Sequence, residues 1–131
     1  MKALDTNILV RFLTRDDEKQ TLKVIGVLEE AERRGESLIL TDLVLLETIW
    51  VLSYVKGHSR SRILNALQHL LLMPVLRFEA PGRIQKWVDL GRATNFELAD
   101  LLIGLAARDL GCESTATLDR KAGRSDLFEL I

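Results

Sequence analysis

The chain has 131 residues, 47% of them hydrophobic and 28% charged, with a formal net charge of −1. That balance excludes a disordered chain, and the near-neutral charge excludes a protein that coats nucleic acid through bulk electrostatics. The single cysteine, Cys112, excludes an internal disulfide, and apolar runs such as Leu43 to Leu46 and Leu70 to Val75 fall well short of the ~20 residues that span a bilayer.

Short apolar runs alternate with longer helical patterns, the mark of an α/β fold with an open, mainly parallel sheet. Ala3-Leu4 predicts a short first strand, and Thr6 the N-cap of a helix through Leu13. A second helix is expected from Asp16 or Asp17 to Gly35, with acids in its first turn and a glycine stop. Strand Ser37–Leu40 follows. Asp42 is the expected N-cap of a very apolar helix ending near Gly57, and Ser59 opens the second arm of a helical hairpin, which runs to Met73 before Pro74. Val75–Phe78 predicts a third strand, Pro81–Ala93 an amphipathic helix, and Glu97–Leu110 a second apolar helix closed by Gly111. Thr115–Leu118 is the fourth strand, a turn of helix follows around Arg120–Gly123, and Leu127–Leu130 is a candidate edge strand. The expectation is one domain over residues 1–131, with four to five strands flanked by helices. The N-terminus, with Asp5 inside its apolar run, reads as neither a signal peptide nor a membrane anchor, so a cytoplasmic location is expected.

Charge is unevenly distributed. Asp16 to Glu36 holds seven acids and four bases, whereas Thr48 to Phe78 holds four bases (Lys56, Arg60, Arg62, Arg77) and no acid. The Lys56–Arg62 segment reads equally as a phosphate-tolerant surface and as a solvated connection between helices.

Three carboxylates stand alone in runs that otherwise read as core. Asp5 is the only charge between Lys2 and Arg11, Glu47 the only one from Leu43 to Val55, and Asp100 the only one from Leu98 to Ala107. Glu47 shares a helical face with Leu43, Leu46, Trp50 and Tyr54, which predicts that it points toward packed apolar neighbours. A buried carboxylate needs compensating positive charge, and those runs contain no lysine or arginine, which makes a divalent cation the simplest source. Asp5 and Asp119 each end a predicted strand, and the carboxyl ends of parallel strands form the site-bearing edge of an open α/β sheet. Glu47 and Asp100 would reach that edge from helices. An oxygen-only cluster favours Mg²⁺ or Mn²⁺. Zinc does not suit the chain, because His58 and His69 are far apart and Cys112 has no partner.

These residues resemble a known family. Leu4-Asp5-Thr6-Asn7-Ile8-Leu9-Val10, the lone helical Glu47, Ala99-Asp100-Leu101-Leu102-Ile103 and Thr115-Ala116-Thr117-Leu118-Asp119-Arg120 are together similar to PIN-domain ribonucleases, and more narrowly to the VapC toxins of bacterial and archaeal toxin-antitoxin pairs. The likeness covers the whole chain in motif order and spacing. It implies that Asp5, Glu47, Asp100 and Asp119 are catalytic and hold one or two Mg²⁺ or Mn²⁺ ions for RNA hydrolysis by activated water. It implies too that Asn7 and Thr117 orient water; both residues equally suit local hydrogen bonding at a helix start and a strand end. Glu97 and Asp126 are the neighbouring acids that compete for a place in the pocket. Arg11, Arg120 and Lys121 are candidate contacts to substrate phosphates.

The partners implied by the resemblance are RNA, a VapB-like antitoxin and a second copy of the chain, with no membrane. The aromatic residues, Trp50, Tyr54 and Trp87 among them, are assigned to core or dimer contacts. Two other readings compete: a phosphoryl-transfer domain, which also places an Asp after its first strand, and a PIN-like module without catalysis.

Overall fold

In the computed structural model, which describes residues 1–131, strand β1 (Lys2–Ala3) lies parallel to β2 (Leu38–Leu40), and β2 lies parallel to β3 (Leu76–Phe78). The strand order is β1-β2-β3, with Lys2 opposite Leu38 and Leu40 opposite Phe78. Leu38 and Leu40 are buried with Ile39 half-buried between them, as befits the middle strand of a parallel sheet covered on both faces. Such strands need long crossovers, which the helices provide.

Helices α1 (Thr6–Thr14) and α2 (Glu18–Arg34) connect β1 to β2. Asp17 caps α2 by accepting the Gln20 N–H at 3.0 Å, Arg33 and Arg34 sit at its negative end, and Gly35 closes it at φ 66°, a conformation that favours glycine. From β2 to β3 run α3 (Asp42–Trp50), a π-helical turn (Val51–Val55) and α4 (Arg60–Leu71), the last capped by Ser59 through the Arg62 N–H. Leu9, Leu40, Leu45, Leu52, Leu67 and Leu70 are among the residues fully buried here.

These elements make up the first of two compact units, Met1–Pro81; the second is Gly82–Ile131. In the second, α5 (Pro81–Ala93) is joined to α6 (Leu98–Asp109) by Trp87, which is 0% exposed and donates its indole N–H to the Leu98 carbonyl at 2.7 Å. Strand β4 (Thr115–Thr117) pairs in parallel with β5 (Phe128–Leu130), and a 3₁₀ turn (Ala122–Arg124) lies between them in sequence. Gly104 lets α6 approach the β5 segment closely: a Cβ there would lie 2.8 Å from the Leu127 Cβ.

The expected α/β architecture and its parallel strands are observed. The five strands pair as a set of three and a set of two. Two caps differ from expectation. Asp5, not Thr6, caps α1, and Thr41, not Asp42, caps α3. A cap must hold extended backbone while its side chain reaches the first turn, and those two residues do so, at ψ 174° and 158°. No helix is long and apolar enough to cross a membrane.

Candidate functional site

Asp5 stands just beyond β1, at the carboxyl edge of the three-stranded sheet. Its Oδ1 accepts the Ile8 N–H at 3.1 Å, which fixes an exposed carboxylate at the start of α1, with Asn7 exposed in the same turn. Two further acids share this edge, and sequence reasoning passed over both as site candidates. Glu79 follows β3 directly, and its carboxylate accepts the backbone N–H of Asp42, which lies two residues past β2, at 3.1 Å. The signal was available: like Asp5, each follows a strand.

Glu47 sits on α3, but its face is turned the other way from the expectation. Leu45, Thr48 and Ile49 are buried, while Glu47 is exposed together with Leu43, Trp50 and Tyr54. The helix carries two apolar stripes, one containing Thr48 and the other Glu47. Burying a hydroxyl costs far less than burying a carboxylate, so the threonine stripe goes inside. Burial therefore gives no argument for a cation at Glu47. It also takes Trp50 and Tyr54 out of the core.

In the second unit, Asp100 and Asp119 are brought near each other. Asp100 is half-buried in the first turn of α6, and its carboxyl is pushed above the ordinary value, first by burial, then by Asp119 and Glu97, with Lys121 opposing. Asp119 is positioned by its own turn: its N–H donates to the Thr117 hydroxyl at 3.0 Å, and its Oδ1 accepts the Ala122 N–H at 2.9 Å. Thr117 thus orients the strand end locally. Lys121 lies 3.6 Å from the Glu97 carboxylate, Arg120 is exposed, and Asp126 is exposed with its carbonyl accepting from Arg108.

Arg11 is drawn into a different cluster. Its guanidinium pairs with Asp16, whose carboxylate also takes the Lys56 ammonium at 2.7 Å and the Thr14 hydroxyl at 2.9 Å. Lys56, then Thr14, then Arg11 hold the Asp16 carboxyl well below its ordinary value. The α1–α2 link is thereby tied to the residue that follows the π-helical turn.

Within neither unit do three acidic, histidine or cysteine groups gather closely enough to hold a metal ion by themselves. The chemistry of the acidic pair still suits a hard cation. Asp100 is crowded by carboxylates that a divalent ion would offset, and Mg²⁺ is commonly held by one or two carboxylates with water completing its shell.

Comparison with known proteins supplies what the geometry alone does not. Residues 2–126 match the family described as PIN domain. The chain belongs to the PIN domain family. Among relatives of this PIN domain chain is a protein named VapC ribonuclease from Aquifex aeolicus (strain VF5), 25% identical over 122 residues, which span 92% of this chain and 89% of that protein. The α/β order of a PIN domain thus extends over both compact units of the sequence.

Proposed function

We propose that this PIN domain chain is a single-domain, Mg²⁺- or Mn²⁺-dependent endoribonuclease and the toxin of a type II toxin-antitoxin pair. It acts in the cytoplasm as a homodimer and is restrained by a VapB-like antitoxin. The observation that carries the reading is the half-buried Asp100, crowded by Asp119 and Glu97 in a chain whose family match is nearly complete. Carboxylates pressed together at some electrostatic cost are a feature of functional sites. The kinship with a protein named VapC ribonuclease supports RNA as substrate.

In this reading Asp5, Glu47, Asp100 and Asp119 hold the metal. When bound, the ion supplies the activation of water and the neutralisation of charge on the scissile phosphodiester. The side chains do the positioning. The α1 cap fixes Asp5, and the Thr117 hydroxyl and the Ala122 N–H fix Asp119. Asn7 and Thr117 are the polar neighbours able to orient water. Arg120 and Lys121 stand beside Asp119 to receive substrate phosphates, while Arg11 serves only if substrate draws it from Asp16. Hydrolysis by water needs no covalent enzyme intermediate and leaves 5′-phosphate and 3′-hydroxyl ends.

The test is cleavage of labelled total tRNA and a structured RNA with Mg²⁺, with Mn²⁺ and with EDTA, beside an Asp5→Asn variant prepared identically. The expected result is metal-dependent cutting that the variant lacks. Cutting that survives EDTA or the substitution overturns the reading. Folded, metal-binding protein that cuts no RNA would favour a PIN module without catalysis.

A further inference from the structure

Helices α1 to α4 each open on a side chain that accepts a first-turn N–H: Asp5, Asp17, Thr41 and Ser59. Helix α6 does not. Glu97 stands at its cap position, with backbone at φ −59° and ψ 133°, and its carboxylate makes no cap bond. Aspartate or serine there would cap the helix, so the glutamate forgoes a stabilisation that the other helices have. Its carboxylate is turned to another element instead, where the Lys121 ammonium lies 3.6 Å away.

The two ends of Lys121 are held unequally. Its backbone is fixed, because the turn after Asp119 is closed by the Gly123 N–H on the Asp119 carbonyl at 3.0 Å and by the Arg124 N–H on the Lys121 carbonyl at 3.1 Å. Its ammonium is free to move. At 3.6 Å it lies beyond the usual N–H···O hydrogen-bond length, and the two side chains are 43% and 63% exposed, so solvent screens the pair and the pair holds weakly. Lys121 is also the positive group that opposes the upward push of Asp119 and Glu97 on the Asp100 carboxyl. One ammonium thus answers Glu97 directly and Asp100 at longer range. A divalent ion taken up by Asp100 and Asp119 would supply that charge in its place and repel the ammonium, and a substrate phosphate offers the ammonium a new anion.

We infer that Glu97 is a positioning residue, which holds the Lys121 ammonium beside Asp100 until metal binds and then yields it to a substrate phosphate. Glu97 is not itself a metal ligand in this arrangement. The inference deepens the ribonuclease reading and rests on it for the phosphate.

Two measurements on the full chain test it, and neither needs cleavage. The first is affinity for labelled total tRNA in EDTA, for the unmodified chain, Glu97→Gln, Lys121→Gln and the double variant. Both side chains lie at the surface, so these substitutions leave the core intact. Glutamine at 97 releases Lys121, so Glu97→Gln is expected to bind RNA roughly fivefold tighter, and the gain is expected to vanish when Lys121 is also glutamine. Loss of a negative charge by itself would tighten binding equally in both backgrounds. An equal gain, or no gain, therefore overturns the positioning role.

The second measurement is Mn²⁺ affinity, read from the EPR signal of the free ion. Lys121→Gln removes the competing ammonium and is expected to bind Mn²⁺ roughly fivefold tighter. Unchanged or weaker binding overturns the inference. Adding Glu97→Gln to Lys121→Gln is expected to change Mn²⁺ affinity by less than about threefold; a larger loss makes Glu97 a ligand and overturns its positioning role. The two readings fail separately. Tighter Mn²⁺ binding in Lys121→Gln by a chain that binds no RNA would keep the pairing with Asp100 and remove the nuclease, and metal-dependent cutting with additive effects on RNA affinity would do the reverse.

Discussion

Asp16 in the first unit and Asp100 in the second are the same residue placed in opposite company. Asp16 is surrounded by partners that want it ionised: an ammonium, a guanidinium and a hydroxyl. Asp100 is half-buried beside two other carboxylates, with one lysine nearby that is shared with Glu97. The first shifts down and the second shifts up. A carboxylate that serves the fold arrives with its cations, whereas on the proposed reading Asp100 tolerates repulsion until a ligand relieves it.

The comparison breaks most visibly on activity. Asp100→Asn and Asp119→Asn are each expected to lower RNA cleavage by about a thousandfold, the worth of several kcal/mol of metal-assisted stabilisation of the transition state. Asp16→Asn, measured beside them in the same cleavage assay, is expected to stay within about threefold of the unmodified chain, since a surface ion pair carries little energy. Equal losses in all three variants would erase the distinction between a structural and a functional aspartate.

Stability should move the other way, and by less. Removing the Asp100 charge relieves repulsion from Glu97 three residues earlier, worth a few tenths of a kcal/mol on a helix surface. Without metal, Asp100→Asn is therefore expected to melt about 1–2 °C above the unmodified chain. A lower melting temperature would mean that Asp100 holds a structural bond, and its raised titration would lose its functional meaning.

What could be read from the sequence divides along the same line between local and distant causes. Asp17, Ser59 and Gly35 punctuate helices through contacts within four residues; the sequence showed Ser59 and Gly35 and narrowed the third to Asp16 or Asp17. The parallel strands followed from apolar runs spaced by helices. Asp5 was placed correctly at a strand end, but its cap was assigned to Thr6, because both residue types can cap and only the backbone angles decide. The facing of α3 was not legible, since the helix is apolar on two sides and tertiary packing alone chose the Thr48 stripe. Nor was the capture of Arg11, which depends on Asp16 being held in place by Lys56, forty residues farther along the chain. Asp42 and Glu79 meet only because β2 and β3 are paired.

The smallest effect is the most diagnostic of why Asp16 is shifted. Its folded carboxyl titrates below the ordinary value of 3.8, so folding favours the ionised form. The stability that this provides is fully present above about pH 4 and is lost as pH falls through 3.8 toward the folded value. Chemical melts of the unmodified chain and Asp16→Asn should therefore differ by a constant gap from about pH 7 to about pH 5, with the asparagine variant less stable, and the gap should narrow in stronger acid. Salt should shrink it as well, because the cluster is open to solvent. Lys56→Gln should remove most of the same gap, since Lys56 is the largest single cause of the shift. A gap that ignores pH would show that Asp16 acts through its hydrogen bonds alone, which asparagine can partly replace, and the contrast with Asp100 would then be one of packing and not of charge.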